Sequence, residues 1–338
     1  MATISLCMIV KNEEDILKRC LDSLDGLYDE AIIVDTGSTD STKEIAKEYT
    51  DKVFDFQWID DFSAARNYAM SKATCDYVYM ADADEVIDEE NRKKFLVLKE
   101  ALDKDVEIVQ MAYVNQLENG SVYNFDRELR AKLYKRCRSF TFVDPIHEVV
   151  RENPVVYDSD IDIIHMQQIN HSGRDLKTFR KAIERDGGLS NRLIDLYARE
   201  LLMGGTPEDF DAARDYFEGL YQSGSLPEGI LRSVYVVLAE CALLSEDANN
   251  LLKYSIKDVA SGGSSEMCCI MGAYFEKIGE LSEAAMWYYN AGYETEPLLN
   301  IQTKERIPLR GLIRVYQTMG NEEMRCLYQN ELDRLNKR

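Results

Sequence analysis

Histidine is scarce in this chain, three among 338 residues, and none of the eight cysteines forms a C-x-x-C pair. Without those spacings a structural zinc is excluded, and reduced thiols in a cytoplasmic setting are expected. Eighteen glycines and six prolines are too few for a fibrous or disordered polypeptide. Long apolar runs are also lacking. The opening Ile4–Val10 is interrupted by Ser5 and stopped by Lys11-Asn12-Glu13-Glu14, far short of a signal core or a membrane span, so no transmembrane segment is expected. Positive charge is in deficit: 40 Lys and Arg against 61 Asp and Glu give a formal charge of −21. Such a field repels nucleic acid and anionic lipid, while leaving room for a small anionic ligand in a locally basic pocket.

What is present is length enough for two domains and 45% hydrophobic residues, ordinary for a globular core. Up to about residue 125 strand-like and helix-like patterns alternate. Strands are expected at 4–10, 30–34, 52–56 and 77–80, with helices at 16–24, 42–49 and 64–71. Further strands near 108–114, 129–134 and 161–164 complete a mixed sheet, so the fold class is α/β. Ser38, Thr39, Asp40 and Ser41 offer side-chain oxygens to cap the second helix, and Gly37 frees the turn before it. After about residue 172 only helical spacing remains, which sets the expected domains at 1–172 and 173–338. Gly272, Phe275, Gly279, Ala284, Tyr288, Ala291 and Pro297 fall near the small, aromatic and turn positions of a tetratricopeptide unit, and segments 197–220, 231–259 and 309–332 give looser copies.

The sharpest chemical signal is Asp82-Ala83-Asp84-Glu85 at the end of the apolar strand 77–80. Open α/β sheets bind ligands at the carboxyl ends of their strands, and paired carboxylates there suit a sugar hydroxyl and a hard cation, Mg²⁺ or Mn²⁺. A second strand ends at Asp35 before the polar turn 36–40. Asp35 can accept from a base edge or organise its own loop, and local pattern leaves both open. Arg66, near the start of a helix, has the planar fork that suits a diphosphate, with surface ion pairing as its alternative. Residues 127–138 hold six Lys or Arg against one acid, a local anion site within an acidic chain. Asp144, His147 and Glu148 follow, then His165 at the end of a strand, candidates for a base and for a metal shell.

Taken together, Ser5 through Glu14, the turn 34–40, the segment 61–67, the D-x-D motif at 82–85 and Ile146-His147-Glu148 resemble the family 2 glycosyltransferases with the GT-A fold, in the cytoplasmic bacterial branch carrying a tetratricopeptide-like C-terminal domain. The resemblance implies a Rossmann-like nucleotide-sugar domain and inverting sugar transfer from a donor, usually uridine-linked, to a peptide, protein or glycan. By the same resemblance Lys11, Asn12, Glu13, Asp35 and Gly37 hold the nucleoside, Asp82 the ribose or sugar, Asp84 and His165 the metal, and Arg66 and Lys132 the anionic groups. Glu148 is the expected base, with His147 and Asp144 as rivals, and the helical repeats present the acceptor or join copies of the chain. Two positions depart from the family pattern: Asp144 stands where Gly is usual, and Lys132 where Arg is usual. Two other readings compete, a peptide-binding helical scaffold with an inactive front domain, and a haloacid-dehalogenase-like phosphatase built on Asp82-x-Asp84.

Overall fold

The computed structural model describes residues 1–114, 127–150, 152–166 and 172–336. The chain divides into two compact units, Met1–His171 and Ser172–Arg338.

In the first unit, β1 (Ile4–Val10), α1 (Leu17–Leu24), β2 (Glu30–Asp35), α2 (Thr42–Tyr49), β3 (Val53–Asp55), α3 (Phe62–Lys72) and β4 (Tyr77–Ala81) alternate as their apolar spacing dictates. Then come β5 (Glu85–Val86), α4 (Glu89–Ala101), β6 (Ile108–Val114), β7 (Glu128–Lys135), β8 (Phe142–Val143), β9 (Val149–Val150) and β10 (Val156–His165). Sequence spacing did not reveal α4: only Asn91, Phe95 and Lys99 of its thirteen residues are buried, so its apolar face is narrow. Asp88 nevertheless caps it, accepting from the Asn91 amide at 2.9 Å. At the start of α2 the N-cap residue Ser41 makes no side-chain cap bond, and Asp40 before it accepts from the Thr42 amide at 3.0 Å.

Eight strands form one sheet in the order β3-β2-β1-β4-β7-β6-β10-β5, and β8 and β9 form a separate small hairpin. The strands β3, β2, β1 and β4 run parallel, and β1, β2 and β4, buried along nearly their whole length, are mostly apolar, while the short edge strand β3 is not buried. Strand β7 is antiparallel to both β4 and β6, so two reversals return β6, and β10 parallel to it, to the direction of β4. The carboxyl ends of β1, β2, β4 and β10 therefore share one edge of the sheet.

The second unit is helical throughout its described residues: α5 (Ser172–Asp186), α6 (Asn191–Gly204), α7 (Pro207–Ser223), α8 (Glu228–Leu244), α9 (Ala248–Ala260), α10 (Ser265–Lys277), α11 (Leu281–Tyr293), α12 (Arg306–Thr318) and α13 (Glu322–Leu335). Each of the four repeat-like segments contains one helix pair, from α6–α7 to α12–α13. Tyr288 of α11 explains two glycines. A Cβ on Gly272 would lie 2.8 Å from its ring and one on Gly311 2.6 Å, so the ring packs directly on the backbones of α10 and α12. Gly272 was legible as a small position; Gly311 was not.

Candidate active site

At the shared edge, five side chains of alternating charge run from the β8–β9 hairpin to β5: Glu148, Arg66, Asp82, Lys132 and Glu85. Arg66, on α3, donates from Nε to Glu148 and from Nη2 to Asp82 at 2.8 Å. Lys132, on β7, lies 3.8 Å from the other oxygen of Asp82 and donates to Glu85. Burial alone would raise the pKa of Asp82, but Arg66 and Lys132 outweigh it and hold the carboxyl below its ordinary value. Glu85 goes the other way. Burial dominates there, and the attraction of Lys132 does not offset it, so its pKa rises to about 7. The second oxygen of Glu85 finds no donor. Glu85 escaped the sequence reading because a third acid after D-x-D looks like part of a solvated loop; the lysine that explains its burial is 47 residues away.

Asp84 and His165 are brought together by strand pairing. Strand β5 lies antiparallel to β10, with His165 opposite Glu85, and the Met166 amide donates to the Asp84 carbonyl at 2.8 Å. His165 Nε2 then sits 3.0 Å from Asp84 Oδ2. The imidazole leans on the Tyr113 ring at 4.9 Å between centroids, and the Arg130 guanidinium lies 4.1 Å over the other partner in that stack, Tyr113. Arg19 of α1 donates to the Met166 carbonyl at 3.2 Å, and Cys20 Sγ donates to the Asp82 carbonyl at 3.4 Å, so α1 fixes the D-x-D turn from below. One carboxylate oxygen beside one imidazole nitrogen is a donor set that fits a divalent cation. Among the described residues no three His, Cys, Asp or Glu side chains form a group that could hold a metal ion.

The loops after β1 and β2 are laced to each other. The Asn12 amide donates to Ser38 Oγ at 2.9 Å, the Thr39 amide to Asn12 Oδ1 at 2.8 Å, and the Glu13 amide to Thr42 Oγ1 at 2.7 Å. Asn12 adopts φ +55°, a left-handed conformation that asparagine tolerates. Asp35 is buried and accepts from the amides of Gly37 and Ser38, both at 3.0 Å, which organises its own loop. Gly37 has φ +104°, and Lys11 is exposed at the rim.

The turn between β8 and β9 carries Asp144, His147 and Glu148. Asp144 has φ +75° and His147 φ +50°. The departure at Asp144 from the usual glycine thus falls on a backbone position that favours glycine, and aspartate is among the few residues that bear it. Only Glu148 of the three joins the charged row. The basic run 127–138 is divided rather than gathered. Arg127 pairs with Asp162 and Arg138 with Glu107, Lys135 and Arg136 donate to backbone carbonyls, and Lys132 alone enters the charged row.

Residues 5–149 match the model of the family described as Glycosyl transferase family 2. A tetratricopeptide repeat-containing protein of Synechococcus elongatus is 37% identical over 153 residues, which cover 45% of this chain and 36% of that protein. The SPbeta prophage-derived glycosyltransferase SunS of Bacillus subtilis is 29% identical over 176 residues, 51% of this chain and 40% of that protein. A glycosyltransferase of Rickettsia typhi is 30% identical over 171 residues, 48% and 56% of the two chains. The chain thus spans between about a third and just over half the length of these curated relatives. Among solved structures, glucosyl-3-phosphoglycerate synthase of Mycobacterium tuberculosis aligns with a TM-score of 0.42 at 17% identity, covering 56% of this chain and 80% of that one. No described helix is long and apolar enough to cross a membrane. With its D-x-D turn, its strand-end carboxylates and the family match on the same residues, the segment 5–149 is a glycosyl transferase family 2 domain.

Proposed function

We propose that this protein is an inverting glycosyltransferase that moves a sugar from a uridine diphosphate donor to a peptide, protein or glycan acceptor with the help of Mn²⁺ or Mg²⁺. The observation that carries this reading is the gathering of Asp82, Asp84 and Glu148, all within the family-matched segment 5–149, with His165 of β10 beside Asp84 at the same sheet edge. Lys11, Asn12, Glu13 and Gly37 form the rim for the nucleoside, with Asp35 beneath it organising the loop after β2. Asp82 keeps about a third of its side chain accessible and faces the donor sugar or ribose. Asp84 and His165 would hold the divalent ion, which would supply positive charge beside the diphosphate of the donor.

In the transfer, an acceptor oxygen, nitrogen or sulfur bonds to the anomeric carbon as the bond from that carbon to the diphosphate breaks. Glu148 takes the acceptor proton, with His147 and Asp144 on the same turn as the rivals for that role. Arg66 keeps Glu148 and Asp82 in register with one another. Acceptor presentation, or self-association, falls to the helical unit, because repeated helix pairs commonly offer a concave binding surface. The deciding experiment is a thermal-shift panel of nucleotide sugars with and without Mn²⁺: a ligand that binds only the folded state raises the melting temperature. A metal-dependent rise with one uridine diphosphate sugar is the expected result, and a flat panel overturns the reading.

A further inference from the structure

The turn bearing Glu148 is a five-residue connection, 144–148, closing a hairpin whose strands are only two residues each. Two of its five residues are non-glycine in left-handed conformation, so the hairpin does not hold its own shape by local preference. What holds it is α3. Asn67 of α3 presents both ends of its amide to one residue: Nδ2 donates to the Phe142 carbonyl at 2.9 Å, and Oδ1 accepts from the Phe142 amide at 2.8 Å. That reciprocal pair copies a strand-to-strand bond with a side chain. One turn earlier the Phe62 amide donates to the Pro145 carbonyl at 2.9 Å, and Arg66, next to Asn67, reaches Glu148.

We infer that Asn67 is a positioning residue for glycosyl transfer: it fixes the start of the β8–β9 hairpin so that the carboxylate of Glu148 meets the acceptor. This deepens the function proposed above and rests on it. Asparagine is required in that role because Phe142 offers a donor and an acceptor at once. Aspartate has the same shape but no donor, and it sets a carboxylate oxygen against the Phe142 carbonyl. Both side-chain hydrogen bonds given for Asn67 among the described residues go to Phe142 and none to the D-x-D turn or the rim loops, so donor binding is not expected to depend on it.

The test compares wild type with Asn67→Asp, and with Asn67→Ser as an uncharged companion, in steady-state transfer with the uridine diphosphate sugar that scores in the thermal panel. Displacing a reacting group by about 1 Å costs on the order of 100-fold. The expected result is a fall in kcat of about 10- to 100-fold with donor KM within about twofold of wild type, alongside faster hydrogen exchange at the Phe142 amide and a single cooperative melt. A kcat equal to wild type in both variants overturns the positioning role alone. So does a donor KM that worsens in step with kcat, because that is general damage. A wild-type protein that neither binds donor nor transfers sugar takes the glycosyl-transfer reading down as well, and the two failures are thereby told apart.

Discussion

Arg66 donates to Glu148 across 82 residues of chain, joining the first turns of α3 to the hairpin that follows β7. Both side chains are 13% exposed, and the same guanidinium holds Asp82. Removing Arg66 takes the cation from the largely buried Glu148 and leaves the partly exposed Asp82 with Lys132 alone. Arg66→Ala is therefore expected to cost about 3 kcal/mol in urea unfolding, since breaking one side of a buried pair leaves an uncompensated charge. Glu148→Gln keeps a hydrogen-bond acceptor for Arg66, so it should fold and bind donor normally while transfer falls by about 100-fold or more. Normal transfer by Glu148→Gln together with an inactive Asp144→Asn moves the base to Asp144.

Asp84 and His165 make a separable prediction. Asp84→Ala and His165→Ala are each expected to abolish the Mn²⁺-dependent part of the thermal shift given by uridine diphosphate, without lowering the melting temperature of the ligand-free protein by more than a few degrees. Titration calorimetry with Mn²⁺ and the nucleotide checks this directly, and full turnover in excess chelator contradicts it.

The helical unit carries its own pH dependence. Burial pushes the carboxyl of Glu240, on α8, up to about 7 from its ordinary 4.5. Between those values the folded state binds a proton that the unfolded state has released, so stability from this group is full below about 4.5 and is lost as pH rises through about 7. Glu240→Gln is expected to flatten the melting temperature over pH 5–8 and to exceed wild type at the alkaline end, as scanning calorimetry of the full chain would show.

Packing of Tyr288 gives a stability prediction with an internal control. Gly311→Ala places a methyl about where the ring stands, 2.6 Å from its nearest carbons, and is expected to destabilise by about 1–3 kcal/mol. Tyr288→Leu on its own opens a cavity and costs stability too, but combined with Gly311→Ala it relieves the clash. A double-mutant cycle should then show a favourable coupling above about 0.5 kcal/mol, and strict additivity would contradict the contact.

Periodicity along the chain was sufficient for the parallel half of the sheet, because strands covered on both faces must be continuous apolar runs and 4–10, 30–34 and 77–80 are such runs. It was sufficient too for the change to helices near residue 172. The D-x-D turn was visible because carboxylates closing an apolar strand break the pattern at the edge where ligands bind. Helix α4 was hidden because one narrow apolar face does not give a clear period, and β5 because two residues carry no period at all.

At Asp35 the partners are local, the amides of Gly37 and Ser38 two and three residues on. At Arg66 they lie far along the chain. Arg66 suited a diphosphate on its own chemistry, yet its fork is met by Asp82 and Glu148, and the six cations of 127–138 are shared out by strand alternation and by partners elsewhere. The sequence by itself determined which side chains can do chemistry, since residue type and strand ends are local properties. Which of them stand together was decided by the two antiparallel reversals at β7, because only they turn β10 to deliver His165 beside Asp84.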